Sequence, residues 1–307
     1  MPNKTMEVVV ERPVDGDTVR VLIDGKSESI RILGLDTEES KAGGDKPLTP
    51  WGKKAAEHAA ELLSPGKTLT LDFDAPEDGE LDVNFSRFRD NFGRLLALVV
   101  VDGVDFQEHM IGSGYSPYFV KYGDVRTPGY HRLYLAAERA AQSRRTGLWD
   151  QVAANGSEQR NYSALGAWWA LRAGVINDYR RLRSEGGEIL NSRIDFERIK
   201  ALAQDNQRST IFTEFSTYQR LGSRKAVVRI GSVAQPFSIL IPDVESEGGQ
   251  GLVTLLSERY IAGGTEGGVT VTRPRRSYGY VTGQLKIFRG DPEIVAEAPE
   301  AISDLPS

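Results

Sequence analysis

Residues 16–23 (GDTVRVLI) and 28–35 (ESIRILGL) alternate apolar and polar side chains. That is the period of a half-buried strand. Asp24-Gly25 between them is a hairpin turn pair. A chain built on this segment must carry a sheet with one covered face. Folding about the turn puts Asp17 opposite Arg31 or Ile32, depending on the register. Asp36 then falls just past the end of the partner strand, at the same sheet edge. A later run, RDNFGRLLALVV (89–100), places Arg94 after another tight turn, at the start of another strand.

The strand ends thus carry Asp17, Asp36 and Glu39 with Arg31 and Arg94. Carboxylates are hard oxygen ligands for divalent cations. Arginine forks match phosphate oxygens two at a time. Taken singly, Asp17 reads as a turn residue, Arg31 as a solvated strand residue and Arg94 as a turn cap. Their joint occurrence within one 150-residue segment points to a site that holds a cation and a phosphodiester together, and so cuts nucleic acid.

Residues 7–150 resemble a staphylococcal nuclease (thermonuclease) domain. The matching features are VDGDTVR, a strand ending in LDT-x-E, the FGR turn, IGSGYSPYFVKY (111–122) and a closing helix ending in TGLW (146–149). The resemblance implies one calcium ion, or another divalent cation, held by Asp17, Asp36 and the carbonyl of Thr37. It implies that Glu39 is the general base or orients the attacking water, and that Arg31 and Arg94 clamp the phosphoryl group. It implies cleavage of DNA and RNA alike at the P–O5′ bond, leaving 3′-phosphates. Tyr122 matches the second tyrosine of the family's nucleotide-contact pair, whereas Val120 stands at the first. The family usually reads DTPE and this chain reads DTEE. Glu38 therefore replaces a proline and competes with Glu39 for the role of functional carboxylate. The loop 41–51 resembles the family's loop beside the site. The stretch 75–89 is longer and more acidic than the family's, and reads as an extended hairpin shaping the substrate groove. The implied fold is an oligonucleotide-binding (OB) barrel of five strands, with helices over 49–65, 103–114 and 128–149.

At 307 residues the chain has room for a second core. Residues 151–160 are small and polar, a linker. Helical spacing follows over 164–184 and 194–204, so 151–206 reads as linker and helical connector. Residues 207–299 turn to short strands around a helix at 252–263, the pattern of a second OB domain. Residues 281–302 resemble the final hairpin of a bacterial nucleic-acid-binding OB fold. Tyr278, Tyr280 and Phe288 are the candidates for stacking on bases. Arg273, Arg275, Arg276, Lys286 and Arg289 are the candidates for phosphate contacts. The alternative places the aromatic residues in the barrel core. Residues 300–307 read as a disordered tail. The expected fold class is α+β, mainly β: two five-stranded OB-type barrels joined by a helical linker region.

The net charge of −5 is unusual for a nucleic-acid binder, so local basic clusters matter more than the total. There is no cysteine, which excludes disulfides and thiol chemistry. The three histidines, His58, His109 and His131, are too scattered for a zinc site and read as structural or surface residues. No apolar leader core begins the chain, so the expectation is a cytoplasmic protein as written, or an exported one if Met1 replaces a removed leader. The leading expectation is a calcium-dependent nuclease acting on DNA, RNA or both, with single strands favoured through the C-terminal domain. The alternatives are a non-catalytic nucleic-acid binder on a nuclease scaffold, or a nuclease whose second domain docks a protein.

Overall fold

The computed structural model describes residues 4–41, 48–74, 88–127, 129–150, 160–266 and 269–306. Most of the 41–51 loop, of the acidic 75–89 stretch and of the 151–160 linker lies outside them. The chain divides into two compact units, Met1–Asp90 with Arg94–Trp169, and Asn91–Gly93 with Ala170–Ser307.

The first unit contains β1 (Lys4–Asp15), β2 (Thr18–Ile23), β3 (Lys26–Ile32), β4 (Gly34–Leu35), β5 (Thr68–Phe73), β6 (Leu95–Val101), β7 (Val104–Asp105) and β8 (Tyr118–Phe119). The sheet order is β3-β2-β1-β5-β6-β7, and β3 also pairs with β6. That last, parallel pairing closes five strands into a barrel. Asp24 and Gly25 have φ of 49° and 76°. Two consecutive positive φ values make a turn whose twist matches the flanking strands. The two-residue loop sets Thr18 opposite Arg31. The Ile32 amide donates to the Asp17 carbonyl at 2.9 Å. Of the two registers open to the sequence, the one facing Asp17 with Ile32 is therefore adopted.

The covered faces of these strands supply Val19, Val21, Ile30, Leu71 and Val99, all inaccessible to solvent. Helix α1 (Pro50–Leu62) begins with Thr49, whose side chain accepts from the Gly52 amide. Proline at its first position loses no hydrogen bond there. Helix α2 (Phe106–Gly112) is capped by Asp105. Helix α3 (Tyr130–Arg144) stops at Arg145, which turns left-handed at φ 50°, and a short 3-10 turn, Gly147–Trp149, completes the segment expected as one helix. Helix α4 (Tyr162–Ser184) starts behind Asn161, whose side chain accepts the Ala164 amide at 3.0 Å.

The second unit contains β9 (Leu190–Asn191), α5 (Phe196–Gln204), β10 (Arg208–Glu214), β11 (Thr217–Leu221), β12 (Lys225–Arg229), β13 (Ser238–Ile241), α6 (Glu247–Leu255), β14 (Gly263–Glu266), β15 (Val269–Thr272), β16 (Tyr278–Phe288), β17 (Asp291–Val295) and β18 (Ile302–Ser303). Its sheet runs β11-β12-β13-β17-β16-β10-β9, with β18 added on β16. The outer edge of β10 is taken by the two-residue β9, and β14 and β15 pair with each other. Among the described residues this sheet stays open, so the expectation of a closed barrel is met in the first unit only. The segment read as a disordered tail is also tied down. Ile302 and Ser303 pair with Val281 and Tyr280, and Asp304 accepts from the Tyr260 hydroxyl at 2.6 Å.

Candidate active site

Asp17 sits in the turn between β1 and β2, and Arg31 near the end of β3. Gly34 then turns the chain at φ 79°, so that β4 pairs with β8, Gly34 opposite Phe119 and Leu35 opposite Tyr118. Asp36 follows directly. Local turn chemistry thus brings two distant carboxylates to one arginine. Arg31 reaches Asp17 Oδ2 at 3.2 Å through Nη1 and Asp36 Oδ1 at 3.1 Å through Nη2. All three residues are buried. Burial by itself would lower the Arg31 pKa. The charges of Asp17 and Asp36 outweigh that and raise it, with Tyr122 and Asp90 adding to them. The guanidinium therefore stays charged, and its face lies 5.6 Å from the Phe119 ring centre.

The carboxylates are held from the other side as well. Thr18 Oγ1 donates to Asp17 Oδ1 at 3.0 Å, and the Thr37 amide donates to Asp17 Oδ2 at 3.1 Å. The Asp36 amide donates to Ser116 Oγ at 2.9 Å. Arg94 is positioned by Asp90, which is 1% exposed in its side chain and lies 2.7 Å from Nη2 and 2.8 Å from Nε. Tyr122 is half-buried, edge-on to Phe119 at 5.8 Å, and Val120 packs partly against the barrel core. Glu39 is half-buried and forms an isolated bridge with Leu48. Glu38 is buried at 2% exposure. Asp15, one turn earlier, has its pKa pushed up by burial, with Asp17 and Glu39 adding to the rise.

Residues 29–151 match the model of the family described as staphylococcal nuclease homologue. Endonuclease YncB of Bacillus subtilis is 33% identical over 151 residues, which covers 48% of this chain and 64% of that protein. The SPbeta prophage-derived endonuclease YokF of the same organism is 33% identical over 149 residues, 48% of this chain and 45% of its own length. Thermonuclease of Staphylococcus hyicus is 30% identical over 136 residues, 44% of this chain and 68% of the relative. The chain belongs to the staphylococcal nuclease family. It spans between about half and two thirds of the length of the two Bacillus relatives.

For a staphylococcal nuclease homologue, one occupant of the site was not legible in the sequence. Arg160, just before α4, reaches Asp36 with both terminal nitrogens: Nη1 lies 2.5 Å from Oδ2 and Nη2 2.6 Å from the main-chain oxygen. Its Nε donates to Glu38 Oε1 at 3.0 Å, and the Tyr162 hydroxyl donates to the same oxygen. Burial opposes the charge on Arg160, but Asp36 and Glu38 more than offset it and raise its pKa. Ser116 and Asp90 also escaped the sequence reading. Each had a signal, Ser116 inside the YSPYF segment and Asp90 four residues before Arg94. Arg160 follows a featureless linker and had none.

The donor set fits a hard cation. Asp17, Asp36 and the Thr37 carbonyl are oxygen donors, and Asp36 already holds a cationic guanidinium. Among the described residues, no group of three or more acidic or histidine side chains is placed to hold a metal ion, so main-chain oxygen would be needed too. The three histidines, expected to be scattered, are not all apart. His58 and His109 meet at 2.8 Å between Nε2 atoms, and His58 stacks on Tyr115. His131 Nδ1 lies 3.0 Å from the Tyr118 hydroxyl.

The residues read as nucleic-acid contacts in the second unit separate into groups. Tyr278 and Tyr280, expected to stack on bases, are instead core residues, 8% and 2% exposed, packed with Tyr179 and Phe212. Burial pushes the Tyr280 hydroxyl up to about 12. Rings this deeply buried cannot stack on a base. Phe288 is 54% exposed, with Arg289 lying 5.3 Å from its ring centre. Lys286 pairs with Glu293 at 3.2 Å, and Arg276 with Asp304 at 3.1 Å. Arg275 donates to the Ser257 carbonyl at 3.0 Å. Arg273 and Arg275 border a cavity of about 560 Å³ lined also by Tyr218, Val253 and Ile261.

Proposed function

We propose that this chain is a divalent-cation-dependent phosphodiesterase that hydrolyses DNA and RNA, with calcium as its ion. The observation that carries this reading is the buried Asp17–Arg31–Asp36 cluster, found in a chain related to endonucleases and a thermonuclease. Asp17, Asp36 and the Thr37 carbonyl would hold the ion. When bound, it supplies Lewis-acid polarisation of a phosphodiester oxygen. Glu39 accepts a proton from the attacking water or orients it. Arg31 and Arg94 donate to the phosphoryl oxygens as negative charge builds on them. Asp90 positions Arg94 for this, and Tyr122 lies beside the nucleotide. By family likeness the leaving oxygen is the 5′ one, and the product ends are 3′-phosphates.

We extend the proposal to single-strand preference through the second unit, whose OB-like character rests on its strand pattern. The exposed Phe288 with Arg289 is the best remaining stacking element, since ring-on-base contacts contribute about 1–3 kcal/mol per base. Arg273 and Arg275 are the phosphate contacts of this reading. Among the described residues no helix is long and apolar enough to cross a membrane.

Glu39→Gln tests the chemical role. It keeps size and removes the proton acceptor, so kcat on a labelled oligonucleotide should fall by about 10²–10⁴-fold, with KM little changed. Full activity in Glu39→Gln would reject this carboxylate, and an inactive Glu38→Gln alongside it would transfer the role to Glu38.

A further inference from the structure

The guanidinium of Arg160 is only 8% exposed in its side chain, and the carboxylates that receive it, Asp36 and Glu38, are 9% and 2% exposed. Burying an arginine is unfavourable unless its donors are paired. Here every nitrogen has an acceptor: Nη1 on Asp36 Oδ2, Nη2 on the Asp36 carbonyl and Nε on Glu38. The anchoring depends on Glu38, whose carboxylate receives both Arg160 Nε and the Tyr162 hydroxyl. A proline at position 38, as the family usually has, would offer no carboxylate to Nε or to the Tyr162 hydroxyl. The position of Arg160 is set by the start of α4, where the Leu165 amide donates to the Asn161 carbonyl at 2.9 Å. Arg31 already takes Asp36 Oδ1, so Oδ2 is the oxygen left for an ion, and Arg160 covers it.

We infer that Arg160 is an intramolecular counter-ion that competes with the divalent cation for Asp36, held ready by Glu38 and Tyr162. This rests on the proposed metal-dependent nuclease reading. Two positive centres on one carboxylate oxygen repel strongly where water is excluded. A divalent ion entering at Asp36 must therefore move Arg160 away, and its apparent affinity is reduced by the free energy of that displacement. Glu38 Oε2 is buried and has no hydrogen-bond partner among the described residues. Displacing Arg160 also strips this buried carboxylate of its guanidinium partner, which adds to the cost that the incoming ion must meet. The chain would then hydrolyse nucleic acid only above a calcium threshold set by its own arginine.

Calcium affinity of the full chain, measured by titration calorimetry, tests this without reference to activity. Arg160→Ala and Arg160→Gln should bind calcium about tenfold or more tightly than the wild type. Arg160→Lys keeps the charge but not the fork, so its affinity should fall between those of the wild type and Arg160→Ala. Circular dichroism confirms that each variant is folded. In the wild-type chain, which needs no substitution, calcium should speed hydrogen exchange at the Ala164 and Leu165 amides, whose acceptors belong to Asn161. Equal or weaker affinity in folded Arg160→Ala and Arg160→Gln, or calcium-insensitive exchange at these amides, overturns the competition while the metal reading stands. An absence of calcium binding in every variant and in the wild type overturns the metal reading and the competition together.

Discussion

Arg31→Met should unfold in urea at a markedly lower midpoint than the wild type and should lose nearly all hydrolysis. The substitution leaves Asp17 and Asp36 buried without the cation that spans them at 3.2 and 3.1 Å. Removing one partner of a buried ion pair costs about 3–5 kcal/mol, because the remaining charge is stranded. Asp36 keeps the Arg160 guanidinium, so the stranded charge is that of Asp17, and the residual bonds from Thr18 and Thr37 soften its loss without replacing a full charge. Loss of one preorganised donor to a developing phosphoryl charge should also lower kcat by about 10²–10³-fold. Arg31→Lys separates the two effects. It keeps the charge but cannot fork between two carboxylates, so it should recover part of the stability and little of the rate. An Arg31→Met protein as stable as the wild type would mean that Arg31 is not the residue bridging the carboxylates.

Gly52→Ala is the second large effect, and here intuition about helices misleads. Gly52 is in the first turn of α1, where alanine ordinarily stabilises by up to about 1 kcal/mol. A Cβ at this position would lie 1.9 Å from the Glu39 carbonyl oxygen, 2.3 Å from its carbonyl carbon and 3.0 Å from the Glu38 carbonyl carbon. These are backbone atoms, so no rotamer change relieves the contact. Either α1 or the segment carrying Glu39 must shift by about 1 Å, and overpacking of this kind costs about 1–3 kcal/mol. Misplacing a catalytic carboxylate by that distance is worth about 10²-fold in rate. The expected result is a folded protein with kcat/KM down by about that factor. Wild-type activity in Gly52→Ala would show that the position of Glu39 does not control the rate.

What could be read from the sequence follows from the range of the forces involved. The Asp24-Gly25 turn and strict alternation determine which face of the hairpin is covered, because a one-residue slip would expose every apolar side chain. Asp17, Arg31 and Asp36 were therefore legible as neighbours. Gly52 was not, since its close approach to Glu39 joins a loop to a helix start with no local pattern. Arg160 is the extreme case: its partner, Glu38, is 122 residues away in sequence, and nothing near Arg160 marks it as buried. In the second unit, alternation told which residues of β16 share a face but not which face is wet. Both faces prove covered over most of the strand. Val281 and Leu285 enter the main core of this unit, and Tyr278 and Tyr280 pack with Tyr179 and Phe212 on the other face. Phe288, on the tyrosines' face, is exposed only because it lies at the strand end. Closure of that sheet depends on what pairs with its edges, and β9, only two residues long, carried no sequence signal.

In the proposed reaction, hydrolysis depends on a divalent cation at Asp17 and Asp36. The most direct measurement is the cleavage rate of one labelled single-stranded oligonucleotide by the full wild-type chain in calcium, and in excess chelator. Cleavage should proceed in calcium, cease in chelator and recover when calcium is restored. Undiminished cleavage in chelator would contradict that dependence.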